Sequence, residues 1–501
     1  MSAQLTVIVL AAGGGTRMKS KTPKVLHSIG GRSMIGHVLH AVGTLEPHRL
    51  VTVIGHQREL VGPHIAELAP DAVLAVQEEQ RGTGHAVRIA LDALSAAGQR
   101  PETGTVLIAY GDTPLLQGTT LRSFVDAHTD AGAAVSILSG IVDRPRGYGR
   151  IVRDTDGAVT AIVEEKDATD AQRAITEINS GILAVDAAFL GDCVTRFSDD
   201  NASGEYYLTD AVGIARGDGL PVAAHAVDDA LQTEGTNDRV QLAALGAEMN
   251  RRILADHMRA GVTVMDPAST WIDADVTLAA DVTLLPGTQL LGATTVAEDA
   301  VIGPDTTLAD CEVGAGARVV RTHAQLAVIG AEATVGPFSY LRPGTVLGAA
   351  GKIGGFVETK NAVIGDGAKV PHLSYVGDAE IGEGANIGAG TIFANYDGVN
   401  KHRTTVGKHA KTGSNNTFVA PVSIGDGAGT GGGTTVRKDV PPGALAVSAA
   451  KQRNLEGWAQ RQRPGTAQAR AAADAEGVGG TPTEGVDGTA DVSPDTNMSG
   501  E

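Results

Sequence analysis

After the β-branched run TVIVLAA the chain gives up its side chains at Gly13, Gly14 and Gly15, and then presents Arg17, Lys19, Lys21 and Lys24. Backbone N–H groups left open by glycine, with cations beside them, suit an anion and a nucleotide phosphate in particular. Two familiar cradles do not fit. A G-x-x-x-x-G-K-[ST] loop counted from Gly13 meets Met18 where its second glycine is required, and a G-x-G-x-x-G fingerprint from the same start also ends on Met18. On these residues alone, an ordinary strand-to-helix turn with solvated lysines is the competing reading.

The rest of the chain limits what such a loop can serve. With 501 residues, more than one domain is expected, because single cores usually close at roughly 100 to 250 residues. Forty Lys and Arg against 58 Asp and Glu give a formal charge of −18, which argues against nucleic acid or an anionic membrane as the main partner. Any anion must therefore meet a local cluster. Cys193 and Cys311 are the only cysteines, too few for a disulfide framework, so a reducing compartment is expected. No basic segment precedes the first strand, and no apolar run approaches the roughly 18 residues needed to span a bilayer. The expectation is a soluble cytoplasmic protein.

The elements that must position the loop divide the chain. Through residue 227, short β-branched runs alternate with amphipathic stretches, predicting a Rossmann-like α/β domain with a mostly parallel sheet. Strands are expected at TVIVLAA, LVTVIG, VLAVQ, TVLIAYGD, AVSILSG and AITEINSGILAVD, and helices at SMIGHVLHAVGTL and GHAVRIALDALSAA. Residues 228–261 form a linker whose long helix ends near Gly261. Residues 262–460 then carry a comb of period six: Ile329, Val335, Leu341, Leu347, Ile353 and Thr359, and again Val406, Thr412, Phe418, Ile424, Thr430 and Val436. Six is not a helical period, and an even step keeps the marked side chain on one face of successive strands, so a hexapeptide parallel β-helix follows. Thirteen residues separate Phe393 from Val406, which predicts a protruding loop in FANYDGVNKHRTT. Residues 461–501 lose all periodicity in favour of Ala, Gly, Thr, Pro, Asp and Glu, and are expected to be disordered.

Read as one string, LAAGGGTRM followed by TPKVLH resembles the signature of the sugar-nucleotide pyrophosphorylases. QEEQRGTGHAV, YGDTPLL, GYGRIV, IVEEKDA, EINSGI and EGTNDRVQL fit that family in order. Joined to repeats containing VPHLSYVGD, GAGTIFANYDG and VAPVSIGDGA, they resemble the bacterial bifunctional N-acetylglucosamine-1-phosphate uridyltransferases and glucosamine-1-phosphate N-acetyltransferases, over roughly Leu5 to Trp458. The resemblance implies synthesis of UDP-N-acetylglucosamine for peptidoglycan and the cell wall. It implies UTP and acetyl-CoA as co-substrates, Mg²⁺ as cofactor, a left-handed β-helix and a homotrimer with the acetyl-transfer site between subunits.

For uridyl transfer the resemblance assigns Arg17 and Lys24 to the triphosphate and the transferring phosphoryl group. Leu10, Ala11, Ala12, Gly13, Gln77, Gly82 and Thr83 go to the nucleotide, with Tyr110, Gly111 and Asp112 from YGD. Gly149, Glu164 and Asn179 go to the sugar. Asp112 and Asn237 are the implied Mg²⁺ ligands, one carboxylate and one amide, which suits an ion that keeps several waters. A helix N-cap before Thr113 is the alternative for Asp112. For acetyl transfer it assigns His372 as general base and Arg342, Lys360, Tyr375 and Asn386 to the sugar phosphate. Ala389, Asn395, Tyr396, Ser414 and Gly432 would contact acetyl-CoA. A lone histidine on a repeat face is otherwise structural. The chain departs from the family in having glycine in TGGGTTV and Ala449 where an arginine near the CoA phosphates is common, which leaves Lys451 or Arg453 as substitutes. The alternative function is a sugar-nucleotide pyrophosphorylase with a structural or regulatory β-helix.

Overall fold

The computed structural model describes residues 4–143, 145–201, 203–448 and 451–477. It divides into two compact units, one ending at Val447 and the other starting at Ser448.

In the first unit the strands in chain order are β1 (Leu5–Ala11), β2 (Ser28–Ile29), β3 (Arg32–Ser33), β4 (Arg49–Ile54), β5 (Val73–Val76), β6 (Thr105–Tyr110), β7 (Val135–Ile141), β8 (Gly149–Arg153), β9 (Val159–Val163), β10 (Glu177–Asp186) and β11 (Val222–Ala226). The main sheet runs β11-β7-β10-β6-β1-β4-β5, with the β8–β9 hairpin attached to β10. Six of these seven strands run in one direction, as expected of a mostly parallel sheet, and β10 alone is reversed, which makes the sheet mixed. β1 pairs in parallel with β4 and β6, whereas β10 runs antiparallel to β6, β7 and β8. β1 is buried along its whole length, as expected of a central strand covered on both faces. One cluster, including Ile8, Val87 and Leu190, and a second, including Val9, Val38 and Phe124, cover the two faces.

Helices α1 (Met34–Gly43), α2 (Arg58–Leu68), α3 (Thr83–Ala96), α4 (Gly118–Ala131), α5 (Asp170–Arg173), α6 (Ala187–Cys193) and α7 (Asp210–Gly217) surround the sheet, and α8 (Arg239–Arg259) leaves it. Asp238 starts α8 by accepting from the N–H groups of Val240 and Gln241 at 2.9 Å, a carboxylate N-cap. Leu245 and Met249 pack α8 against Ile29, Met34 and Leu115. At its other end the buried Asn250 donates to the Thr270 carbonyl (2.8 Å) and accepts from Ile272 N–H (3.0 Å), which fastens the helix to the first repeat coil.

From Thr263 to Ala446 short parallel strands stack as coils. Trp271 pairs with Gln289, Gln289 with Thr307, and Thr277 with Thr295, a full turn of eighteen residues. All twelve comb residues named above are buried, so the period-six positions form the interior column. The curled parallel architecture is consistent with a left-handed β-helix. Tyr375 pairs with Ile392 but Ile392 pairs with Thr417, so the extra residues of this coil leave it as the expected loop. Phe393 and Phe418, on either side of the insertion, fill the interior edge to face at 5.0 Å.

In the second unit, short helices occupy Trp458–Gln462 and Ala467–Ala475. The latter falls where the composition predicted disorder. Its local sequence explains it: Thr466 accepts from Ala469 N–H as an N-cap, and AQARAAADA is rich in the best helix former. Ala449 and the rest of the expected tail, 478–501, lie outside the described residues. Among the described residues no helix is long and apolar enough to cross a membrane.

Candidate functional site

The glycine loop leaves the carboxyl end of β1, beside that of β6, where the chain departs in opposite directions across the sheet. Such a reversal is the usual ligand crevice of an open α/β sheet. Of the three glycines, Gly15 is the one whose backbone demands it. Its φ is +56°, and an added Cβ would come within 2.5 Å of the Lys24 Cβ, so the loop can close over the lysine stem only without a side chain. An added Cβ on Gly13 would meet nothing within 4 Å, and the residue lines a cavity.

Lys24 then reaches back to the loop after β6. Its ammonium forms an ion pair with the Asp112 carboxylate and a 3.1 Å hydrogen bond to Asn237 Oδ1. Arg17 donates to the same Asn237 oxygen at 2.8 Å. The Asp112 carbonyl accepts from Thr236 N–H at 3.1 Å, so the YGD and EGTN segments are held together through their backbones. Asp112 caps no α-helix: the next one, α4, starts six residues later with Gln117 in the cap position. Two anion-seeking cations and two oxygen ligands from four separate segments thus meet at one point. The carboxylate and amide oxygens already converge on one cation, the Lys24 ammonium, and hard oxygen donors of this kind fit Mg²⁺.

Beside this cluster lies a cavity of about 260 Å³, lined by Leu10, Ala11, Ala12, Gly13, Lys24, Gln77, Gly82, Thr83, Tyr110 and Asp112, all expected from the sequence. Gly111 follows directly and donates to the Leu10 carbonyl at 2.9 Å, which locks the two loops together. Gln77 is buried and donates to the Gly82 carbonyl at 3.3 Å. Burial, then the charges of Asp112 and Glu164, push the Tyr110 hydroxyl up, so it stays a protonated donor at neutral pH. Gln80 and Glu205 also line the cavity, although neither was singled out in the sequence. Gln80 donates to the Ala12 carbonyl at 2.6 Å. It stands three residues after Gln77 in a segment already matched to the family, whereas nothing around Glu205 signals a site.

Gly149, Glu164 and Asn179 are brought together by the β8–β9 hairpin. Gly149 pairs with Asn179 of β10, and the Glu164 carboxylate lies over Gly149, 3.2 Å from where a Cβ would stand. Burial, and secondarily Asp167, raise the Glu164 carboxyl above the usual range, with Arg150 opposing.

The repeat domain assembles a second set. His372 ends the strand Lys369–His372, exposed, and its carbonyl accepts from Gly390 N–H in the next coil. Asn415 N–H bonds to the Ala389 carbonyl and Gly433 N–H to that of Ser414, so His372, Ala389, Ser414 and Gly432 succeed one another on consecutive coils. At strand spacing that column extends about 14 Å. Around the corner from His372 stands Tyr375, whose hydroxyl is 3.5 Å from Asn395 Nδ2. Asn395 also donates to Asp378 at 2.5 Å. Arg342 pairs with Glu358 at 2.9 Å. Lys401, from the inserted loop, lies beside Lys360 and holds its amine below the ordinary lysine range. Two adjacent ammonium groups call for an anion, and Lys401 is a member the sequence reading missed. Tyr396 is exposed on the loop, its hydroxyl on the Gly398 carbonyl at 2.6 Å. Asn386 is bridged to Lys369 and Lys411 through its backbone and makes no side-chain hydrogen bond to Arg342, Lys360 or Tyr375 among the described residues.

The crevice and its cation cluster define a nucleotidyltransferase: residues 7–174 match the MobA-like NTP transferase domain. The whole chain is similar to the bifunctional protein GlmU of Mycolicibacterium vanbaalenii, 59% identical over 461 residues that cover 91% of this chain and 93% of the relative. It is 57% identical to that of Corynebacterium efficiens, with 91% and 94% covered, and 59% identical to that of Rhodococcus opacus, with 92% and 93% covered. The chain belongs to the GlmU family of bifunctional transferases.

Proposed function

We propose that this enzyme makes UDP-N-acetylglucosamine at two separate sites, acetylating glucosamine 1-phosphate in the repeat domain and transferring a uridyl group to the product in the α/β domain. The observation that carries the reading is the meeting of Arg17, Lys24, Asp112 and Asn237 at the mouth of a cavity lined by the nucleotide set.

In uridyl transfer a phosphate oxygen of N-acetylglucosamine 1-phosphate forms a bond to the α-phosphorus of UTP, and the bond to the bridging oxygen breaks to release pyrophosphate. Both reactants are anions, so catalysis is chiefly neutralisation and alignment. Arg17 and Lys24 bind the triphosphate and the transferring group, Gln77 selects the base by hydrogen bonding, and Gly149, Glu164 and Asn179 seat the sugar. Asp112 and Asn237 would hold Mg²⁺, which when bound supplies further positive charge to the phosphate oxygens.

In acetyl transfer the amine nitrogen forms a bond to the thioester carbonyl carbon, the His372 imidazole takes the proton, and the carbon–sulfur bond breaks to release CoA. Arg342, Lys360 and Tyr375 hold the sugar phosphate. Asn386, which makes no side-chain hydrogen bond to them among the described residues, joins the site in a homotrimer whose subunits share it, and the column Ala389, Ser414 and Gly432 with Asn395 and Tyr396 receives CoA. A cytoplasmic location supplies all four substrates.

The test is a pair of variants on one readout each. Asp112→Ala is expected to lose pyrophosphate release by at least about a hundredfold while thiol release stays within twofold, and His372→Ala to do the reverse. Loss of both activities in either variant would contradict two independent sites.

A further inference from the structure

Among the described residues Arg150 is the largest side chain to be fully buried, at 1% exposure, and neither proposed reaction gives it a role. It lies in β8 next to Gly149. Successive strand residues face opposite ways, so Arg150 lies behind the sheet surface on which Glu164 covers Gly149. Its guanidinium reaches three segments. It donates to the Tyr148 carbonyl just before its own strand, to Glu165 Oε2 at 2.6 Å just past β9, and to the Arg173 carbonyl at 3.4 Å, the last residue of α5. Its Nε has no hydrogen-bond partner among the described residues.

A buried, incompletely satisfied cation is a poor choice for stability, since an apolar side chain of similar volume usually does as well or better. What it supplies is direction. The planar fork fixes its partners in position and angle, and two of the three adjoin the sugar row: Tyr148 precedes Gly149, and Glu165 follows Glu164. In the hairpin register Arg150 is opposite Val163 and Ile178, so the row of Glu164, Gly149 and Asn179 is one residue away on every strand. A slip or tilt of this hairpin would move Gly149 and Glu164 relative to Asn179 of β10.

We infer that Arg150 is a positioning residue for uridyl transfer: through its ion pair with Glu165 and its bonds to the Tyr148 and Arg173 carbonyls, it sets the placement of the row that receives the sugar 1-phosphate. This rests on the proposed role of Gly149, Glu164 and Asn179. Arg150 touches neither the nucleotide cavity nor the cation cluster, so its effect belongs to one substrate only.

The experiment is steady-state uridyl transfer on the full chain with UTP and N-acetylglucosamine 1-phosphate varied separately, acetyl transfer serving as the check on folding. Arg150→Met is expected to raise KM for the sugar phosphate at least tenfold with KM for UTP within twofold. Glu165→Gln should shift in the same direction, Arg150→Lys should recover part of the loss, and the Arg150→Met/Glu165→Gln double variant should be no worse than Arg150→Met. Sugar KM within twofold of wild type in a folded Arg150→Met protein, or an equal rise in both KM values, would overturn the inference. If Arg150→Met does not fold, Glu165→Gln decides by the same criterion. A parallel Glu164→Ala variant separates the two layers. If it leaves sugar KM unchanged, the sugar row itself is wrong; if it raises sugar KM while Arg150→Met does not, only the positioning role fails.

Discussion

Gly15 carries the left-handed turn against which the Lys24 stem packs, and the ammonium at the end of that stem joins Asp112 to Asn237. Gly15→Ala combines backbone strain with a collision at Lys24 Cβ, so uridyl transfer should fall at least about tenfold with acetyl transfer unchanged. Initial rates of pyrophosphate and thiol release on one preparation check this. At the second site Lys401→Ala removes one of two facing ammonium groups. KM for glucosamine 1-phosphate should rise several-fold and uridyl transfer should not respond. Single residues could be singled out in the sequence where a family string surrounds them, and Asp112 is one that the structure brings to the cation cluster. They were not where the signal is purely spatial: Glu205 and Lys401 become neighbours of a site only when distant segments meet, and Arg150 reads in sequence as an ordinary strand cation.

At the scale of elements, α1 holds a buried histidine whose protonation opposes folding. His37 is buried and shares a 2.7 Å hydrogen bond with the Ile29 carbonyl, and burial above all holds its imidazole down to about 4. The folded protein therefore takes up this proton less readily than the unfolded chain. Its contribution is fully present above the ordinary value of 6.5 and is lost as pH falls toward 4, on the order of 3 kcal/mol at most. Denaturant titrations should show stability declining across that window, and His37→Gln should flatten the slope; a parallel decline in the variant would assign it to other groups. The β-helix was the most legible element, because a period of six sends every comb residue inward whatever its neighbours do. The mixed sheet was not: the run at β10 reads the same in either direction, and only its antiparallel pairing with β6 and β7 reveals the reversal. The helix at Ala467–Ala475 was hidden for another reason, since composition over a long window obscures one capped, alanine-rich turn sequence.

For the whole molecule, a net charge of −18 coexists with cations held together at Arg17 and Lys24 and at Lys360 and Lys401, so an anion would meet positive charge at these two clusters rather than on the general surface. On the proposal that the subunits of a homotrimer share the acetyl-transfer site, that activity should depend on assembly while the nucleotide cavity should not. Light scattering should give three times the 51.0 kDa chain mass, and dilution that dissociates the oligomer should abolish thiol release before pyrophosphate release. The most direct test of two sites working in sequence is one reaction containing glucosamine 1-phosphate, acetyl-CoA, UTP and Mg²⁺, with thiol and pyrophosphate followed separately. Thiol should appear without UTP, and pyrophosphate only when acetylated sugar phosphate is made or supplied. Pyrophosphate from N-acetylglucosamine 1-phosphate with no thiol release under any condition would contradict this, and would leave the β-helix as a scaffold.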